Sequence, residues 1–204
     1  MPYDIEDVLS DYANSSLSNT REVACFIDPN FGVVDLSTDK SSGHVDFKFE
    51  KIWDHIRGME YDLFKLHEVW MIHSHPCGFN QFSGTDWNML HGWSIGLAIP
   101  INFGIVTKDC FRSISAIYNS EKKIPEYTNS YYSPSIEGLY GIDNSITFLK
   151  RSYVEQIAKI VYGLSKTKNI DLVNFDKIAY EMNMNYPPEY KQECIEPNLE
   201  CVVC

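Results

Sequence analysis

Two clusters of residues could do chemistry together: His73-Ser74-His75-Pro76 and, after six intervening residues, Ser83-Gly84-Thr85-Asp86. Two imidazoles at i and i+2 with a carboxylate a short loop later supply three protein ligands for a catalytic zinc, leaving one position open for water. Side chains at i and i+2 of a strand share one side, so His73 and His75 project together while Ser74 points away. A lone histidine is more often a satisfied core residue than a ligand, but His-x-His followed by a proline at a strand end is a rarer pattern. Ser83 and Asp86 carry two readings as well. Ser-x-x-acid is the shape of a capping box at a helix start, and the same first turn would hold Asp86 against the histidines while the Ser83 hydroxyl reaches the open position. Both can hold at once.

The flanking elements must place these groups. Glu68-Val69-Trp70-Met71-Ile72 is short and apolar and reads as a buried strand running into His73. Upstream, Ile5, Val8, Leu9, Tyr12 and Ala13 repeat at helical spacing over 4–14, with Asp4 placed to cap. Arg21 to Ile27 reads as a strand with Glu22 at its start, the Asp28-Pro29-Asn30 turn ends it, and Gly32 to Leu36 is its hairpin partner. Val45 to Phe49 is expected as a short strand and 50–65 as a second helix. After the motif, Asp86 to Trp93 is expected as a helix closed by glycines and Pro100, and Phe103–Thr107 and Phe111–Tyr118 as strands joined at Lys108-Asp109. A mixed sheet with helices on its sides, an α/β (α+β) arrangement, is the economical outcome. Residues 119–143 read as an irregular connection. From Asn144, Ile146, Leu149, Tyr153, Ile157, Ile160, Val161 and Leu164 make a long amphipathic helix and Leu172 to Met184 a second, a helical hairpin appended to the sheet. The division expected is thus 1–120 for the sheet domain, 121–143 for the connection, 144–185 for the hairpin and 186–204 for a Cys-containing tail.

A chain of 204 residues with 44% hydrophobic and 14% aromatic residues has material for one well-packed domain, or for one domain plus a small extension. Seventeen basic against 28 acidic residues, a net charge of −11, argue against nucleic acid or an anionic membrane surface as the main partner. No run approaches a membrane span, the first residues lack the pattern of a signal peptide, and the six cysteines do not read as a disulfide framework, so the cytoplasm is the expected compartment.

The His-Ser-His-Pro run, the six-residue spacer, Ser-Gly-Thr-Asp, the strand into the first histidine and the upstream Glu22 together resemble the JAMM (MPN+) zinc metalloproteases. That family includes deubiquitinating subunits of large complexes and many prokaryotic and phage proteins. The resemblance covers roughly residues 4–118. It implies a cytidine-deaminase-like JAMM/MPN core, with His73, His75 and Asp86 holding one zinc ion. It also implies Glu22 as general base then acid and Ser83 as donor to the oxyanion. The substrate class implied is a peptide or isopeptide bond in a protein, a ubiquitin-like conjugate or fusion included. A noncatalytic MPN-like scaffold, using the helical hairpin as its partner surface, is the competing reading. A zinc hydrolase acting on a small amide is a third.

Other candidates are weaker. Glu68, five residues before His73 on the same strand, would sit about 16 Å away, and Glu60 reads as a solvated helix charge. Cys77 could approach the metal as a thiolate but reads as a loop bystander. Trp70, Trp87 and Trp93 read as core or groove lining, and His44, His55, His67 and His91 receive no role. Cys194 and the terminal Cys201-Val202-Val203-Cys204, a poor match to a prenylation signal, read as accessible thiols.

Overall fold

Six strands make one mixed sheet, and its centre is the strand that carries the first histidine. In the computed structural model, described over residues 4–12, 20–28, 31–39, 44–58, 69–97, 100–133 and 151–188, the elements run in chain order as follows. α1 (Ile5–Tyr12) precedes β1 (Val23–Asp28) and β2 (Gly32–Thr38); α2 (Phe49–Gly58) precedes β3 (Val69–Ser74) and α3 (Gly84–Leu97). Then come β4 (Ile101–Val106), β5 (Phe111–Asn119), β6 (Ile124–Ser133), α4 (Arg151–Ser165) and α5 (Phe175–Asn185). The sheet order is β2-β1-β3-β4-β5-β6. Only β3 and β4 are parallel, with His73 opposite Ile105 and Ser74 opposite Val106. α3 is the crossover between them, which is why the helix bearing Asp86 lies over the strand bearing His73.

Strand alternation divides the buried residues between two faces. Val23, Cys25 and Ile27 of β1 with Trp70 and Ile72 of β3 meet α1, α4 and α5. Ala24 and Phe26 with Val69, Met71, Ile101 and Phe103 meet α2 and α3. His73 continues the second set and Ser74 the first.

Four expectations need correcting. Val45 to Phe49 is no strand: Val45 and Phe47 do alternate into the core on the α2–α3 face, but the segment joins no ladder and Phe49 opens α2. Part of the supposed irregular connection is a strand, β6, paired along β5; Pro125 is tolerated near its start because β6 is at the sheet edge. α3 runs through Gly92 and Gly96 instead of stopping there. The C-terminal helices are not appended to the sheet, for Ile157, Val161, Leu164, Ile178 and Met182 belong to the same buried cluster as β1 and β3. The second of them is also divided, with a 3-10 turn at Ile170–Leu172 and α5 capped by the Asn174 side chain. The remainder of the expected 50–65 helix, Glu60, His67, Glu68, residues 134–150 of the connection and first long helix, and the three tail cysteines lie outside the described residues. No helix among those described is long and apolar enough to cross a membrane.

Candidate metal centre

β3 ends in a departure from its neighbour. His73 still faces Ala24 of β1, but the chain then leans to β4, where the His75 N–H donates to the Val106 carbonyl at 2.8 Å. The Val23 N–H, deprived of a strand partner there, donates instead to the buried Ser74 hydroxyl at 2.9 Å. Glu22, the residue before Val23, is anchored through its carbonyl, which accepts from the Thr38 hydroxyl at 2.6 Å. The residue between the two histidines therefore helps to place the carboxylate across from them.

On α3, Asp86, Leu90, Ser94 and Leu97 form the buried face, so Asp86 occupies the first turn of a stripe directed at the sheet. The capping box is made in full: the Ser83 N–H donates to Asp86 Oδ2 at 2.6 Å and the Asp86 N–H to Ser83 Oγ at 3.2 Å. Its Oγ uses a lone pair here, so the hydroxyl proton stays available on the pocket side.

These elements bring three ligand atoms together. His73 Nε2 lies 2.9 Å from His75 Nε2 and 3.0 Å from Asp86 Oδ1, and His75 Nε2 lies 3.5 Å from Asp86 Oδ2. A tetrahedral zinc with bonds of about 2.0–2.1 Å separates its ligand atoms by roughly 3.3 Å, so the trio has the dimensions of one face of such a site. Among the described residues this is the group of His, Cys, Asp and Glu side chains able to hold an ion, and all three members are buried. The His75 Nδ1–H donates to the Phe79 carbonyl at 2.8 Å, which leaves Nε2 as the ring nitrogen that faces His73 and Asp86. His73 Nδ1 has no partner; its ring is enclosed by Phe47 and Phe103.

A pocket of about 130 Å³ opens beside these groups, lined by Glu22, His75, Ser83 and Asp86 together with His44, Val45, Cys77, Phe79 and Met89. Burial raises the Glu22 carboxyl above the ordinary range; positive charge on His73 and His75 opposes the shift and Asp86 adds to it. Burial works against a charged His75, but the hydrogen bonds to Asp86 and to the Phe79 carbonyl outweigh it and raise the imidazole. Asp86 is likewise buried, yet hydrogen bonds from His73, His75 and the Ser83 N–H hold it well below the usual carboxylate range.

All five residues singled out by the motif, Glu22, His73, His75, Ser83 and Asp86, thus meet at one place. Cys77 is exposed and stands in the pocket wall without joining the ligand trio. Trp70 is buried in the core, Trp93 packs on Phe49, and Trp87, partly exposed, packs on Phe82 and Tyr127. His44, given no role from the sequence, forms part of the pocket wall, and so do Phe79 and Met89; nothing in their spacing announces it. No family model, curated protein or solved structure matches the chain.

Proposed function

We propose that the protein is a mononuclear metal-dependent hydrolase, with zinc held by His73, His75 and Asp86. More narrowly, the resemblance of its motif to the JAMM (MPN+) peptidases makes it a zinc metallopeptidase or isopeptidase acting on a peptide or isopeptide bond in a protein, ubiquitin-like conjugates and fusions being the first substrates to test. The observation that carries this reading is that Glu22, far from the motif in sequence, lines the same small pocket as His75, Asp86 and Ser83.

Bound there, zinc supplies a Lewis acid and lowers the pKa of a water toward neutrality. Glu22, with its carboxyl raised by burial, takes up a proton on the pocket side and returns it to the leaving amine, the two halves of acid–base catalysis. The Ser83 hydroxyl donates to the oxyanion that develops on the substrate carbonyl, a contribution typically worth about a hundred- to a thousandfold in rate. Phe79 fixes the tautomer of His75 and the α3 cap fixes Asp86, so the ligands need little rearrangement to bind an ion.

The test is to measure zinc in the purified protein and to compare cleavage of ubiquitin-like fusions and isopeptide conjugates by wild type, Glu22→Gln and His75→Ala. Stoichiometric zinc in wild type, its loss in His75→Ala, and zinc retained without cleavage in Glu22→Gln are expected. Stoichiometric zinc with no cleavage by wild type would count against a peptidase, and a stable wild type that takes up no zinc would favour the noncatalytic scaffold.

A further inference from the structure

The turn after the histidines is held from the far side of the sheet by a buried cation. Lys166 follows α4, is only 6% exposed, and donates from Nζ to the Pro76 carbonyl at 3.0 Å. Its ammonium also stands over the Tyr162 ring, 5.3 Å from the centroid. A lysine is almost never buried to this degree without a specific partner, because removing the ammonium from water is costly. Here the partners are a backbone carbonyl and an aromatic face.

The carbonyl it holds is the one that matters for the ligands. Pro76 lies in the tight turn closed by the Gly78 N–H donating to the His75 carbonyl at 3.0 Å. Gly78 adopts φ 84°, a conformation that glycine supplies readily, and the next residue is Phe79, whose carbonyl holds His75 Nδ1–H. The end of α4 also reaches the other side of the pocket, for the Ser165 carbonyl accepts from the Arg21 N–H, next to Glu22, at 3.2 Å.

We propose that Lys166 is a positioning residue for the metal centre: its ammonium holds the Pro76 carbonyl and so fixes the turn that presents the Phe79 carbonyl to His75. The consequence for metal affinity rests on the zinc reading above; the ordering of the turn does not. Groups that orient a ligating histidine from behind typically influence metal affinity by about 10- to 100-fold.

The experiment uses the full chain and Lys166→Met, which keeps the aliphatic stem and removes the donor. In chelator-treated protein, amide exchange at Gly78 is expected to quicken by roughly tenfold or more, while amides of β5 keep their wild-type rates. In zinc-loaded protein, chelator competition is expected to show affinity lowered by about 10- to 100-fold. Unchanged exchange at Gly78, or an equal rise throughout the sheet, would overturn the proposal. So would wild-type metal affinity in the variant. Should Lys166→Met fail to fold, wild type decides: slowly exchanging Nζ protons with a scalar coupling to the Pro76 carbonyl carbon are expected, and their absence would overturn it equally. A wild type that takes up no zinc removes the zinc reading and leaves Gly78 exchange to judge Lys166.

Discussion

The Ser83 hydroxyl caps α3 and is the proposed oxyanion donor, and the two roles can be separated. Its lone pair caps α3, and loss of such a cap costs about 1 kcal/mol; its proton is the proposed oxyanion donor. Ser83→Ala is expected to lose both stability and rate, whereas Ser83→Gly, which at a cap position costs only a few tenths of a kcal/mol, is expected to keep most of the melting temperature and lose rate. Thermal melts beside kcat measurements check this.

The charges of the ligand trio give a second expectation for chelator-treated protein. His75 is raised on folding, so its contribution to stability is full below the ordinary imidazole value of about 6.5 and is lost as pH rises through the folded value. Asp86 is lowered, so its contribution is present above the ordinary carboxylate value of about 3.9 and is lost as pH falls further. Melting temperature in chelator should therefore be favoured by these groups between the two values. Zinc must displace the His75 proton, so affinity is expected to fall with pH through the same folded value. Glu22 is raised by burial, and its charged form opposes folding above its folded pKa. Glu22→Gln should melt higher than wild type at neutral pH in chelator while losing hydrolysis, and a lower melting point would show the carboxylate to be better satisfied than its surroundings indicate.

At the scale of elements, the open edge of the sheet at β2 is managed by side chains of the helices beside it. The Asn183 amide on α5 imitates a strand partner: Oδ1 accepts from the Val33 N–H at 2.7 Å and Nδ2 donates to the Val33 carbonyl at 2.8 Å. A Cβ on Gly32 would stand 2.3 Å from Asn183 Oδ1, so the hairpin turn requires glycine for space as well as for its φ of 84°. Lys51 on α2 adds a tie, 3.1 Å from the buried Asp35 carboxylate of β2 and 2.9 Å from Asp176 of α5. Asn183→Ala leaves two part-buried backbone groups without partners and is expected to cost about 1–3 kcal/mol in a denaturant titration, with metal binding unchanged because Val33 lies opposite Ile27, which pairs with Trp70, away from the end of the strands that carries His73.

For the whole molecule, α4 and α5 together with α1 cover the face of the sheet opposite the candidate metal centre. A chain ending at residue 150 is expected to lack cooperative folding, as circular dichroism melts and amide dispersion would show. Ile157→Ala, at a fully buried position on α4, should cost about 2–5 kcal/mol. Survival of the shortened chain as a folded, zinc-binding protein would show the sheet with α2 and α3 to be self-sufficient.

Local rules were enough for the ligand set and most elements. Alternation on β3 puts His73 and His75 on one side, and a capping box is complete within four residues, so the sequence by itself determined how His73, His75, Ser83 and Asp86 are displayed. The same rules failed where tertiary contact decides. The alternating Val45 and Phe47 could not reveal that no ladder receives them; the polar, aromatic run after Pro125 became a strand only because β5 offers it an edge. An amphipathic stripe on α4 says that one face is buried without saying against what. Glu22 came into view only through its likeness to a family pattern, and what sets it in the pocket is the pairing of β1 with β3, finished by the Ser74 hydroxyl. Lys166 carries no such signal at all. The turn it holds is ninety residues away, and long-range contacts of that kind are made by packing, which no local pattern encodes.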